Sequence, residues 1–222
     1  MAKGKHSKEE LTTRSYSVEL RAPEGDEERG VIEGVPIVFD RVALIHDWAG
    51  DFNEIIDRHA LDKTDMKDVL LCVNHDLNKI ALARSKNGKG TMLFDVQDDG
   101  LHMRAQLDID NNPEAAALYS AIQRGDISGM SFMFRVNDEE WTDIESEVPT
   151  RTVRSISIVH EVSVVNFPAY TETSIHARSD SKENEHSPLA EARKAHAEEI
   201  AKKNGSALEV EKLKYSYLIG GN

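Results

Sequence analysis

Three polar side chains in this sequence could together carry out nucleophilic catalysis: Ser131, His75 and Glu161. A serine hydroxyl is a weak nucleophile near neutral pH until an imidazole within hydrogen-bond reach accepts its proton. A carboxylate on the other ring nitrogen fixes the imidazole tautomer and stabilises the imidazolium that forms. Each of the three residues ends or interrupts an apolar stretch of the chain. We therefore take them as candidate nucleophile, general base and orienting acid, while their separation in sequence leaves their distance in the fold open.

The serine lies in a segment with the alternation of a strand, directly after a helix that ends at Gly125. Large apolar residues take one face at the period of two and Ser131 takes the other. A lone strand serine is more often simply bonded to a neighbouring carbonyl, so its role depends on its partners. Ser128 is the nearest alternative nucleophile, but alternation places it on the opposite face. The apolar residues are Met130, Phe132, Phe134 and Val136.

The candidate base and acid follow the same pattern. The apolar run 69–73 is typical of a buried strand and delivers His75 at its end. Glu161 interrupts a long apolar stretch, where a carboxylate needs a partner.

Two other kinds of chemistry are less consistent with the pattern. A metallohydrolase would draw on four histidines, yet none of them shows ligand spacing such as two histidines four residues apart on a helix. Cys72 lies inside an apolar run, where a cysteine is usually an inert buried residue rather than a nucleophile. The four histidines are His46, His75, His102 and His160.

Composition excludes several classes of protein. The net charge is −13, from 40 acidic against 27 basic residues, which argues against a nucleic-acid partner. One cysteine excludes an internal disulfide and a cysteine-rich zinc site. No apolar run approaches the roughly 20 residues of a membrane helix, and the basic N-terminus lacks the apolar region of a signal peptide. We expect a protein that stays in the cytoplasm and does not contact membranes.

The spacing of apolar residues predicts a mainly β domain with flanking helices (α+β). Strands are expected at 15–21, 31–39, 69–73, 79–83, 91–96, 101–109, 127–136 and 153–164. Asn112 and Pro113 predict the start of a helix that Gly125 ends. Residues 40–68 are the least regular part and suggest a short helix packed on the flank of the domain.

Changes in composition divide the chain into three parts. Residues 1–14 are polar without periodicity and are expected to form a disordered arm. The domain itself is expected to span 15–175. Residues 176–222 are expected to form a weakly ordered tail with one helix, which Ser187 and Pro188 open and Asn204 and Gly205 close.

Three blocks of the chain, in order, resemble the prohead (capsid maturation) proteases of tailed bacteriophages, which are distantly similar to the herpesvirus assemblin proteases. Residues 73–76 (VNHD) look like the family's catalytic-histidine motif. Residues 125–134 (GDISGMSFMF) look like its serine strand, and 161–170 (EVSVVNFPAY) look like its acidic block. The resemblance spans about residues 15–175. It makes His75 the general base, Ser131 the nucleophile and Glu161 the third member. The assemblin proteases use a second histidine as the third member, which makes His160, next to Glu161, an alternative. Because neighbouring strand residues face opposite sides, only one of the two can point into the site, and we favour the carboxylate.

The resemblance also implies a fold, partners and a place of action. The fold would be an antiparallel β-barrel of the herpesvirus-protease type. The protein would form a homodimer and need no cofactor. The substrates would be the scaffold protein and the N-terminal part of the major capsid protein, cleaved inside the procapsid in the host cytoplasm. Self-cleavage of the C-terminal tail is expected. The alternative function is a structural capsid-assembly protein that keeps the fold without activity.

Overall fold

The computed structural model describes residues 11–17, 20–25, 28–166 and 187–219. These residues form a mainly β architecture with two helices, α1 between β10 and β11 and α2 after β12. The strands are β1 (Thr12–Ser17), β2 (Leu20–Arg21), β3 (Val31–Val38), β4 (Ala43–Asp47), β5 (Gly50–Ile56), β6 (Asp68–Val73), β7 (Ala83–Lys86), β8 (Lys89–Gly90), β9 (Met92–Gln97), β10 (Gly100–Gln106), β11 (Gly129–Thr142) and β12 (Thr150–Val165). The helices are α1 (Pro113–Gln123) and α2 (Pro188–Ile219). The predicted α+β class is confirmed.

The larger sheet positions the candidate catalytic residues. Its strands follow the order β1-β11-β12-β6-β7-β8, and β5 joins β12 with β4 on its outer side. Strands β11 and β12 form a long antiparallel hairpin with several register shifts. Strands β5 and β6 both run parallel to β12. The three strands that carry Ser131, Glu161 and the approach to His75 are therefore adjacent.

The smaller sheet has the order β2-β3-β10-β9 and shares one hydrophobic core with the larger sheet and α1. Helix α1 begins where predicted, because the Asn112 side chain accepts hydrogen bonds from the backbone N–H groups of Glu114 and Ala115. Its buried residues are Ala115, Leu118, Tyr119 and Ile122. Gly125, with φ +75°, then turns the chain into β11.

The predicted antiparallel barrel is not confirmed. Among the described residues, backbone pairing gives two separate sheets, and neither closes on itself. The larger sheet is also mixed rather than antiparallel. Strand β5 pairs in parallel with the start of β12, and β6 pairs in parallel with its end. Alternation within one strand does not reveal the direction of its neighbours, and the herpesvirus type of the fold likewise remains unconfirmed.

The predicted short helix within residues 40–68 is wrong, because this segment contains the β4–β5 hairpin. Phe52, Ile55 and Ile56 have the spacing of a helix face, which explains the misassignment. In the structure the buried side chains of β5 are Phe52, Glu54 and Ile56, at the period of a strand. The middle one is a carboxylate, so the apolar alternation is hidden in the sequence.

Three element boundaries also differ from the predictions. Residues 12–14, assigned to the disordered arm, belong to β1. The strand predicted at 79–83 lies instead at Ala83–Lys86, where Asn87 and Gly88, both with positive φ, form the turn that follows it. Helix α2 begins at Pro188 as predicted but continues past Gly205 to Ile219. The predicted domain boundary near 175 lies outside the described residues.

The first turns of α2 pack on the flank of the domain. Leu189 is fully buried with Phe52 and Trp141, whose ring centroids are 5.2 Å apart. The Ser187 side chain accepts a hydrogen bond from the Ala190 N–H, which caps the helix. In the part of the chain that the structure describes, neither helix is long and apolar enough to cross a membrane.

Candidate active site

The pairing of β11 with β12 brings the serine and the carboxylate onto one face of the larger sheet. Ser131 lies opposite Ser163, and the next residue on the same face, Met133, lies opposite Glu161. The other face of β11 carries Met130, Phe132 and Phe134, all fully buried in the core. The predicted division of the strand into an apolar face and a serine face is therefore confirmed.

The histidine reaches the same face from the turn after β6. Both Asn74 and His75 have left-handed backbone conformations, with φ 51° and 60°. The turn is tied to β12, because the Asn74 N–H donates to the Val164 carbonyl at 3.0 Å and the Asn74 side chain accepts from the Asn166 N–H at 3.2 Å. These bonds turn the His75 side chain back over the sheet.

The three candidate residues form a continuous hydrogen-bonded chain. His75 Nε2 lies 2.6 Å from Ser131 Oγ, and His75 Nδ1 is hydrogen-bonded to Glu161 Oε1. Ser131 and Glu161 are fully buried, whereas the His75 side chain is 21% exposed. A neutral imidazole that donates from Nδ1 to the carboxylate leaves Nε2 free to accept the serine proton.

The sequence did not single out Ser163, which supports both the acid and the base. Its hydroxyl donates to Glu161 Oε2 at 2.7 Å and accepts from the His75 N–H at 3.0 Å. The carboxylate thus has a partner on each oxygen, as a buried charge requires. Ser163 follows Glu161 by two residues in the same strand, so alternation alone places both side chains on one face. That spacing could have identified Ser163 from the sequence.

The competing candidates lie elsewhere. Ser128 precedes β11 and is exposed, whereas the described side-chain bonds of His75 go to Ser131 and Glu161. His160 lies at a register shift between β11 and β12, and its Nε2 is buried without a hydrogen-bond partner among the described residues. Burial, and then the nearby Arg135 guanidinium, lower the pKa of His160.

The cysteine and metal hypotheses gain no support from the geometry. Burial, and then the Glu161 carboxylate, raise the pKa of the Cys72 thiol to about 11, which keeps it protonated near neutral pH. His46 is hydrogen-bonded to Asp51 and His102 to Asp99, each away from His75. Across residues 11–166 and 187–219, as far as they are described, no three histidine, cysteine or acidic side chains are arranged to hold a metal ion.

An unexpected feature is that β1 covers the candidate nucleophile. Ser15 pairs with Ser131 in the register of β1 and β11, and their hydroxyl oxygens lie 2.9 Å apart. The Ser131 hydroxyl also lies 2.9 Å from the carbonyl oxygen of Arg14. Pairing between residues so far apart in sequence leaves no local signal, so this contact could not be predicted from the sequence.

A serine, an imidazole and a carboxylate bonded in this order are the side chains that define the catalytic triad of serine peptidases. Comparison of the sequence with known protein families leads to the same class. The chain belongs to the family of caudovirus prohead serine proteases, whose family model matches residues 16–188. The resemblance inferred from the three sequence blocks is thereby confirmed.

One characterised relative is the prohead protease of Enterobacteria phage HK97. It is 32% identical to this chain over 156 residues, which cover 69% of this chain and 62% of the relative. The chain therefore spans less than two thirds of the length of that relative. No solved structure matches the chain.

Proposed function

We propose that this chain is a serine endopeptidase that cleaves the scaffold protein and the N-terminal region of the major capsid protein during procapsid maturation. The observation that carries the proposal is the hydrogen-bonded chain from Glu161 through His75 to Ser131. Family membership supports it, since the family is one of prohead serine proteases. The site of action would be the inside of the procapsid in the host cytoplasm, and the enzyme would act as a homodimer without a cofactor.

The geometry supports a two-step acyl transfer. Ser131 Oγ gives its proton to His75 Nε2 and attacks the carbonyl carbon of the scissile bond, so that the carbonyl oxygen takes up the negative charge. The imidazolium then gives the proton to the leaving amine, the C–N bond breaks, and an ester with Ser131 remains. A water molecule then gives a proton to His75 and attacks the ester carbon. The bond to Ser131 breaks, the serine takes back the proton, and the carboxylic acid product leaves. Glu161 accepts the hydrogen bond from the His75 Nδ1–H throughout and stabilises the imidazolium.

The alternative is a structural capsid-assembly protein in which the same three residues only hold strands together. The distance of 2.6 Å between Ser131 Oγ and His75 Nε2 favours the enzymatic function. A serine that only stabilised a strand would be satisfied by a backbone carbonyl alone. Here the hydroxyl lies within hydrogen-bond distance of both the Arg14 carbonyl and the imidazole.

The test is cleavage of the capsid and scaffold proteins that are co-expressed with this chain. We expect Ser131→Ala and His75→Ala each to abolish the cleavage while the protein still folds. Glu161→Gln should retain more activity, because an orienting acid can be partly replaced. Combining two of the substitutions should cost little beyond the first, since the three residues act as a unit. Unchanged cleavage by the folded Ser131→Ala protein would contradict the proposal.

A further inference from the structure

Strand β1 pairs with the edge of β11 in the way that a bound extended peptide would. Strand β11 has β12 on one side and β1 on the other, so β1 closes the outer edge of this part of the sheet. It runs antiparallel to β11 over six residue pairs, from Thr12 opposite Phe134 to Ser17 opposite Gly129. Extended peptides commonly bind proteins by adding a strand to a sheet edge. Without β1, the edge beside Ser131 would offer such a site.

The backbone of β1 makes direct contact with the candidate nucleophile. The Ser131 hydroxyl can donate its single proton either to the Arg14 carbonyl oxygen or to His75 Nε2. When the proton goes to the carbonyl, the imidazole does not activate the serine. Strand β1 thus lies where an extended substrate would meet the candidate nucleophile, and Arg14 is the residue whose carbonyl group faces Ser131.

The side chain of the same residue lies against a buried carboxylate. Arg14 Nε donates to Glu54 Oε1 at 2.5 Å, and Arg14 Nη2 donates to Glu54 Oε2 at 3.0 Å. Such a two-pronged contact requires the planar guanidinium group, whereas a lysine ammonium would meet the same carboxylate through its charge alone. The Glu54 side chain is fully buried, while that of Arg14 is 14% exposed. The Arg14 side chain thus fills a space, which we call the Glu54 pocket, with this carboxylate at its inner end.

The charge state of Glu54 fits this description of the pocket. Burial by itself raises the pKa of Glu54, but the Arg14 and Arg151 guanidinium groups outweigh it and hold the pKa below its ordinary value. Arg151 is shared, because it also bonds to the buried Glu139. Two buried carboxylates therefore lie around Arg151, and Arg14 adds a second guanidinium. A neutral or acidic side chain in place of Arg14 would leave Glu54 with a weaker set of partners.

On the basis of the proposed peptidase function, we propose that β1 occupies the substrate groove and that Glu54 makes the enzyme specific for arginine or lysine immediately before the scissile bond. A substrate that displaces β1 and pairs with β11 in the same register presents its own carbonyl group to Ser131. The side chain of that residue then enters the pocket above Glu54. Burying a carboxylate is costly unless it is paired, so a cationic side chain binds there and an acidic one is excluded.

Cleavage-site profiling tests the specificity. The full-length protein is incubated with a complex peptide mixture, and new termini are identified by mass spectrometry. We expect arginine and lysine before the cleaved bond to be enriched by about tenfold or more over their frequency in the mixture. Glu54→Gln should lose that enrichment. The matched control is Glu33→Gln, which removes a strand carboxylate that also bonds to two arginines, Arg21 and Arg104, but lies in the other sheet.

Labelling of Ser131 by a fluorophosphonate probe tests the position of β1 even if the Glu54 variant does not fold. Arg14→Gln should be labelled about tenfold faster than the wild type, because the groove is open more of the time. Arg14→Lys keeps the charge and should stay closer to the wild type. Arg21→Gln, which alters an exposed arginine of β2, serves as the control and should match the wild type.

The outcomes separate this inference from the proposed function. Cleavage without a preference for arginine or lysine, or the same preference in Glu54→Gln, would overturn the specificity. Equal labelling of wild type and Arg14→Gln would overturn the placement of β1 in the groove. If no peptide is cleaved and Ser131 is not labelled in any variant, the proposed function fails, and this inference fails with it.

Discussion

The backbone N–H of His75 donates a hydrogen bond to the Ser163 hydroxyl, 3.0 Å away, and thereby ties the candidate base to the strand that carries its acid. The same hydroxyl donates to Glu161. His75 has a left-handed backbone conformation, which costs of order 1–3 kcal/mol for a residue with a side chain. One serine therefore stabilises an unfavourable turn and fixes the carboxylate that orients the imidazole.

Ser163→Ala should lower catalysis without removing any group that reacts. The substitution leaves the partly buried His75 N–H and a Glu161 carboxylate oxygen with one partner fewer each, at a cost of about 1–3 kcal/mol. A small displacement of the imidazole should then lower kcat by about tenfold to a hundredfold and leave KM almost unchanged. The control is Ser157→Ala, an exposed serine of the same strand that donates to the Arg135 carbonyl. Equal kcat values in the two variants would contradict a positioning role.

Cleavage should fall as the solution is acidified, because only a neutral imidazole accepts the serine proton. The measurement is kcat/KM against pH, with circular dichroism at each point to show that the protein remains folded. A kcat/KM that does not fall on acidification while the protein remains folded would exclude His75 as the base.

The buried Glu54 should make the stability of the protein depend on pH. Its pKa in the folded state lies below its ordinary value of 4.5, because Arg14 and Arg151 outweigh the effect of burial. The stability that this carboxylate contributes is therefore present above about pH 4.5 and is lost as the pH falls through the folded-state value. Glu54→Gln should lower Tm clearly at pH 7 and less at lower pH. A difference in Tm that stays constant across this range would contradict a stabilising ionised carboxylate.

The residues that form the candidate triad could be predicted from the sequence because each lies in or beside a strongly apolar strand. The alternation around Ser131 identified the side of β11 that faces His75. The position of β5 could not be predicted, because the buried Glu54 interrupts its apolar alternation. That carboxylate is bonded to Arg14 and Arg151, which come from distant parts of the chain. The pairing of β1 with β11 beside Ser131 also joins distant parts of the chain, so it could not be predicted either.

The protein should trim its own C-terminal tail, at a site between about Thr171 and Asn222. Leu189 anchors the start of α2, but this helix is rich in alanine and contains Gly205, which weakens a helix by about 1 kcal/mol relative to alanine. Helices with little buried apolar surface open at small free-energy cost and can enter a cleft in extended form. Intact-mass analysis of wild-type and Ser131→Ala protein expressed side by side should show a C-terminal truncation in the wild type alone. Identical full-length masses, under conditions where the capsid substrate is cleaved, would exclude self-processing.

The most direct test of the account is covalent labelling of the nucleophile by a fluorophosphonate probe, with the modified residue identified by peptide mass spectrometry. The probe reacts with a serine only when its hydroxyl is activated. We expect a single modified serine, Ser131, with labelling lost in Ser131→Ala and His75→Ala and retained in Ser128→Ala and Cys72→Ala. Labelling that persists in folded Ser131→Ala protein, or that is lost in Ser128→Ala instead, would contradict the assignment of Ser131 as the nucleophile.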